Sequence, residues 1–240
     1  MKIFKTILLL NVLVSCGVLV SAQSSEEIIS KYVQAIGGKK NLRKIQSLYT
    51  ESEADIMGNP SFQKVTVLNG KGYKMEMEIM GAVITSCITE DGGWSINPMT
   101  GGSTAEDMTE DQYDETRSQI FVGGPFTVFG DLGYKAEALG NETVGNVNAA
   151  KVQLTTAGGT SSLHFFDPGT GYLIQSIQES DMQGQMVETV ISFSDYKEVD
   201  GIKLPHTVSL DVGGGMFEMI SNVTKVEVNK TVDPAIFIKP

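Results

Sequence analysis

The chain has 240 residues and a mass of 25.9 kDa, with 41% hydrophobic and 20% charged residues, which is the composition of an ordinary folded chain and excludes disorder as its main state. Eighteen Lys+Arg stand against 29 Asp+Glu, a net charge of −11. Nucleic acids and anionic membrane surfaces are therefore poor partners, because little positive charge offsets phosphate repulsion. Two cysteines cannot build a disulfide framework, and two histidines leave little material for acid-base or metal chemistry.

Residues 1–22 read as a signal peptide. Lys2 and Lys5 precede an apolar run from Ile7 to Val20, and Val20-Ser21-Ala22 supplies the small-residue exit before Gln23. The run is shorter than the ~20 apolar residues of a membrane span, so the expectation is an exported protein with a single domain over residues 23–240. A rival address lies within it. Leu13-Val14-Ser15-Cys16 has the form of a bacterial lipoprotein signal whose cysteine becomes an acylated anchor, although the apolar Gly17 to Val20 behind it argues against that reading. Cleavage after Ala22 leaves Cys87 as the sole thiol, which cannot close an internal disulfide.

Ser24-Ser25-Glu26-Glu27 has the Ser-x-x-Glu form of a capping box, and Ile28, Ile29, Tyr32, Val33 and Ile36 follow at helical spacing before Gly37-Gly38. A shorter helix is expected across residues 41–45. From Tyr49 onward the pattern turns to period two, punctuated by Asn69-Gly70, Met80-Gly81, Gly92-Gly93, Asp167-Pro168-Gly169 and Gly184. Such closely spaced strands imply an antiparallel sheet. In residues 73–79, strict alternation puts Tyr73, Met75, Met77 and Ile79 on one face and Lys74, Glu76 and Glu78 on the other. A two-residue turn at Met80-Gly81 would set Ile79 against Ala82, Met77 against Ile84 and Met75 against Ser86. Before that strand two registers remain open: a two-residue turn pairs Thr66 with Tyr73, a three-residue turn pairs Val67 with it. Trp94 and Ile96 add further apolar material. Residues 109–118 read as a short acidic helix with a second capping box, Thr109 and Gln112, and a Met108/Tyr113 staple, followed by Phe121, Phe126, Val128 and Phe129. The sum is about ten antiparallel strands with two or three helices, an α+β chain that is mainly antiparallel β.

Catalytic signatures are lacking: there is no Gly-x-Ser-x-Gly, His-Glu-x-x-His, Walker loop, zinc-spaced cysteine pair or EF-hand loop. No catalytic residue, metal site or cofactor is assigned. His164, opposite Leu163 and Phe165 by alternation, reads as a solvent-facing or capped histidine; His206 after Leu204-Pro205 reads the same way. Cys87 reads as a small buried hydrophobe. The acidic cluster Glu106, Asp107, Glu110, Asp111, Asp114 and Glu115 lacks ligand spacing and reads as a solvated helix face. Methionine is abundant, 11 residues in all, and a Met-rich wall remodels around varied apolar guests; ordinary core is the competing account of the same residues.

The order of several segments resembles a family. Residues 28–45 (IISKYVQAIGGKKNLRKI), then Gly93-Trp94-Ser95-Ile96-Asn97-Pro98 with Gly101, Gly140-Asn141-Glu142-Thr143-Val144, Phe166-Asp167-Pro168 with Gly171, residues 195–205 (DYKEVDGIKLP) and the closing residues 233–240 are together similar to the LolA/LolB-like lipoprotein carriers exported by Bacteroidetes. The resemblance implies a single strongly curved, unclosed half-barrel with helices over its concave face, enclosing an apolar cavity for acyl chains, and a periplasmic carrier delivering lipoproteins or lipids to the outer membrane without an enzymatic step. It implies a lining that includes Met75, Met77 and Trp94. With the apolar faces above, the expected lipid-binding cavity comprises Tyr73, Met75, Met77, Ile79, Ile84, Trp94, Ile96, Phe121, Phe126 and Phe129. Expected partners are acyl chains or free lipid and an outer-membrane acceptor protein, with the carrier itself a monomer. Residues 104–129 are expected to be the lid, and Arg43 and Arg117 are the only arginines available to hold it. Two other readings stay open: a structural or interaction module of the cell envelope with a filled core, and an exported hydrolase using Cys87 or a His/carboxylate pair.

Overall fold

The computed structural model describes residues 23–240 except 57 and 183; the expected signal peptide, with Cys16, lies outside the described residues. The first helix, α1 (Ser25–Ala35), starts where the capping box demands: the Ser24 hydroxyl accepts from the Glu27 N–H and the Glu27 carboxylate accepts from the Ser24 N–H, both at 3.2 Å. It buries Ile28, Ile29, Tyr32 and Val33. It stops at Gly37 (φ +128°), where a Cβ would lie 2.7 Å from the Gly201 carbonyl, so only glycine lets the two backbones approach. A short α2 (Lys39–Leu42) follows.

Among the described residues thirteen strands form one antiparallel sheet. They are β1 (Ser47–Ile56), β2 (Asn59–Leu68), β3 (Gly72–Ile79), β4 (Ala82–Thr89), β5 (Gly93–Ile96), β6 (Glu106–Asp107), β7 (Lys135–Val144), β8 (Val147–Thr155), β9 (Ser161–Phe166), β10 (Leu173–Met182), β11 (Gln185–Val199), β12 (Ile202–Val212) and β13 (Phe217–Val228). The count exceeds the expected ten because β5 and β6 are very short, and a four- or two-residue strand leaves too little alternation to be seen in sequence. Their order is β6-β5-β4-β3-β2-β1-β13-β12-β11-β10-β9-β8-β7. The sheet is thus two meanders joined where β1 pairs with β13, and it is not closed: β6 and β7 are its edges.

Local chemistry sets the registers. Met80 (φ +52°) and Gly81 (φ +81°) make a two-residue turn with both residues left-handed, and Ile79 faces Ala82, Met77 faces Ile84 and Met75 faces Ser86, as alternation implied. At the preceding turn the three-residue alternative holds, with Val67 opposite Tyr73.

This strand order forces a crossover. The chain leaves β6 at one edge and must enter β7 at the other, so residues 108–134 run across the sheet. That segment contains α3 (Glu110–Thr116), whose Thr109/Gln112 capping box forms as the spacing predicts. The Tyr113 hydroxyl donates to the carbonyls of Thr89 (3.0 Å) and Glu90 (2.7 Å) at the β4–β5 turn. The Asp114 carboxylate accepts from the Gly158 N–H (2.7 Å), and Glu115 accepts from the Thr160 hydroxyl (3.2 Å), both at the β8–β9 turn. In a flat sheet those two turns would be separated by nine inter-strand steps, ~43 Å. One helix of ~10 Å reaches both. The sheet is therefore rolled into a trough, with α3 strapped across its mouth.

Two apolar clusters result. The larger lies on the concave side and joins α1 and the crossover residues Val122 and Phe126 to Val67, Val152, Leu154, Phe166, Leu173 and Ile202 of the sheet. The smaller, Cys87, Trp94 and Phe237, lies on the opposite face of the sheet under a C-terminal 3-10 turn, Pro234–Phe237.

Candidate functional site

The concave wall divides into a filled part and an open part. Beneath α1 it is packed: Phe126 meets Tyr32, Phe166 and the His164 ring edge-on, at centroid distances of 5.6, 5.1 and 4.8 Å. Beside that plug a cavity of about 460 Å³ opens between the crossover segment and strands β8 to β11. Its volume falls within the ~300–1,000 Å³ of small-molecule sites. Tyr32, Phe126, Leu154, Leu173, Ile191 and Phe193 give it apolar surface.

Polar groups occupy one part of that lining, and register explains why they converge. Ser162 and His164 alternate on β9, His164 faces Ser176 of β10 across the ladder, and Ser162 faces Gln178. The His164 ring is 7% exposed and held between two hydroxyls, with Nε2 2.8 Å from Ser162 Oγ and Nδ1 2.8 Å from Ser176 Oγ. Burial drives its pKa down to about 4, so it is neutral at pH 7. Close by, the Thr156 hydroxyl is buried without a hydrogen-bond partner. A Ser–His contact invites a nucleophilic reading. Here, however, burial weakens the base, and a hydroxyl rather than a carboxylate stands behind its other nitrogen, so the arrangement departs from that of a catalytic triad.

Asp114 and Arg117 fasten the crossover segment that carries Glu115 and Ser118 of the lining. The Asp114 carboxylate accepts from the Gly158 N–H and forms an ion pair with Arg117, whose Nε lies 3.2 Å away, and the Asp114 carbonyl accepts from the Tyr134 hydroxyl at 2.8 Å. Arg117 also donates to the Leu132 carbonyl at 2.9 Å. Arg43, by contrast, is an exposed surface residue 3.9 Å from Asp131.

The ten residues expected to line one cavity fall in six places. Phe126 alone borders the 460 Å³ hollow. Phe129 borders a cleft of about 380 Å³ against α1, and Phe121 one of about 240 Å³ beside Gly70. Tyr73 packs into the main core, where burial pushes its pKa up to about 12. Met75, Met77, Ile79 and Ile84 lie together, half-buried, farther along the same inner wall. Trp94 and Ile96 sit on the other face. Because Cys87 pairs with Trp94 and Lys74 with Cys87, Trp94 shares its side with Lys74 and not with Tyr73, and its indole N–H donates to the Phe237 carbonyl at 3.1 Å. Alternation within one strand had no power to fix that parity across the Gly92-Gly93 turn. The polar lining on β8 to β10 escaped the sequence reading apart from His164, taken there as solvent-facing or capped; it is capped, and buried. The one available signal was Ser162-x-His164 alternating out of step with Leu163 and Phe165.

Among the described residues no group of three or more metal-ligating side chains converges, and no helix is long and apolar enough to cross a membrane. No protein-family model matches the chain, and no curated protein does. Solved structures do. A LolA-superfamily protein from Nitrosomonas europaea superposes with a TM-score of 0.59 at 11% identity, over 91% of this chain and 99% of that one. A DUF1329-family protein from Desulfovibrio piger gives 0.58 at 12% identity, over 89% and 97%. A domain from Vibrio parahaemolyticus whose name assigns it to outer-membrane lipoprotein sorting gives 0.56 at 14% identity, over 89% and 95%. The chain therefore has the LolA-like fold.

Proposed function

We propose that this protein is an exported, non-enzymatic carrier that holds acyl chains of lipoproteins or free lipids in the trough and delivers them to the outer membrane. The observation that carries the reading is the hollow itself: apolar space stands between the crossover segment and the inner wall, where a structural module would have a filled core. Half-buried Met75, Met77, Ile79 and Ile84 extend the apolar wall beyond it. Removing ~12 methylenes from water yields about 10 kcal/mol before ordering costs, enough for micromolar or tighter retention with no chemistry. The fold neighbours support the same reading by analogy, since a fold by itself does not specify a function.

Native mass spectrometry and lipid extraction of protein purified from its own envelope test it. Co-purifying acyl species, lost on replacing Met77 and Ile84 by aspartate, are the expected result. A chain that is free of lipid and fails to take up any acyl probe would leave the structural-module reading in its place.

A further inference from the structure

The carrier reading says that something apolar enters the trough; the polar lining says what else that molecule carries. A neutral imidazole has one donor and one acceptor, and each serine hydroxyl has one donor and two acceptor lone pairs. Ser162, His164 and Ser176 together hold three donors. Two are used internally, one N–H to a hydroxyl oxygen and one O–H to the ring nitrogen. The third O–H, on whichever serine accepts from the ring, has no partner among the hydrogen bonds of the described residues. Thr156 Oγ1 adds a second hydroxyl, buried and unbonded, in the same lining. An unbonded buried hydroxyl is a cost to the empty protein and a gain on binding.

The charges beside these hydroxyls narrow the ligand. Glu115 contributes a carboxylate to the lining, while its other described members include no lysine or arginine. A free carboxylate or a phosphate would lie in an apolar hollow with a like charge and no counter-ion. An ester carbonyl needs only what the site offers, since it accepts hydrogen bonds, donates none and is uncharged.

Resting on the carrier reading, we infer that Thr156, Ser162, His164 and Ser176 form a head-group subsite that binds the ester carbonyl of a glycerol-linked acyl chain and discriminates against free fatty acids and phosphate head groups. The subsite is a reader and not a hydrolytic centre: the ester leaves as it entered.

The test uses the exported full chain, with diphenylhexatriene as an uncharged fluorescent occupant of the cavity and 1-lauroylglycerol or laurate as competitor at pH 8. Wild-type protein should release the probe at a roughly tenfold lower concentration of the glyceride than of laurate. Thr156→Val removes the unbonded hydroxyl without disturbing a bond, so it should weaken displacement by the glyceride about fivefold relative to displacement by laurate, the loss expected for one hydrogen bond, in a protein that melts no lower than wild type. Ser162→Ala/Ser176→Ala should weaken it further. Equal displacement by glyceride and laurate, glyceride affinity unchanged in both variants, or release of free laurate from the glyceride would each overturn the subsite while leaving the carrier intact. Failure of the wild type to bind probe, glyceride and laurate alike would overturn the carrier reading itself.

Discussion

Protonation of His164 should dominate the acid sensitivity of this protein above pH 5. The ring is buried, so the folded chain holds it neutral to a pKa of about 4, whereas the unfolded chain protonates it near 6.5. Between those values the unfolded state binds the extra proton, so stability falls as pH falls. The whole difference is about 3 kcal/mol, of which about 2 kcal/mol is already lost at pH 5 relative to pH 7. Carboxylates with depressed pKa values, Glu26, Asp167 and Glu227, act in the same direction, but only as pH approaches and passes below their unfolded values near 4. The window from pH 7 to 5 therefore isolates the histidine. Urea unfolding at the two pH values, at fixed ionic strength, should show wild type losing about 2 kcal/mol, while His164→Gln, which can still bond both serines but does not titrate, loses almost none. An equal loss in both proteins would refute the assignment of His164 as the buried neutral group responsible.

Other predictions rest on separate contacts. Phe126→Ala deletes a ring packed edge-on against three others, and should cost about 3–5 kcal/mol and lower Tm by ~10 °C in calorimetry. Asp114→Ala unfastens α3 from the β8–β9 turn and from Arg117; hydrogen exchange across residues 110–122 should quicken by an order of magnitude, with β12 and β13 unaffected. Cys87 is wholly buried with its thiol pushed up to about 11, so it should resist a disulfide reagent at pH 8 and become reactive in Phe237→Ala, which uncovers it. Gly72→Ala would bring a methyl group to 2.9 Å from the Phe237 ring, and should reproduce part of that reactivity by displacing the C-terminal turn.

What was legible in the sequence is what short-range chemistry determines. Both capping boxes form, because their donors and acceptors lie three residues apart, and the Met80-Gly81 turn fixes β3 against β4 because its two left-handed residues permit one hairpin geometry. Long-range partners were not legible. Nothing local to β1 announces that it pairs with β13, yet that ladder makes one sheet of two meanders. Asp114 shows the same limit. It reads as one carboxylate among many on a solvated helix; Arg117, three residues on, is within reach by helical spacing, but only the rolled sheet brings Gly158 to it. Trp94, attractive as a cavity aromatic, went to the outer face because the parity of β5 depends on a turn whose conformation its own residues leave open.

On the carrier reading, the strand order also constrains how a cargo would leave. Because β6 and β7 are opposite edges of an unclosed sheet, the chain between them has to lie over the trough, and the covering element comes with the topology. That crossover holds two regions of different strength. Residues 120–126 place Ile120, Val122 and Phe126 in buried positions, and the Val122 N–H donates to Asn69 at 3.0 Å. α3 buries none of its residues and is held by hydrogen bonds of Tyr113, Asp114 and Glu115, each worth about 1 kcal/mol, and by the partly buried Asp114–Arg117 pair. Opening α3 therefore breaks a few polar contacts and no sheet ladder, at a cost well below the ~10 kcal/mol that an acyl chain gains by burial. On the carrier reading, a bound chain does not by itself force the strap open. Release needs an acceptor that offers the chain comparable burial or competes for the contacts of Asp114, and loss of the Asp114–Gly158 bond on the acceptor's surface is the local event to look for.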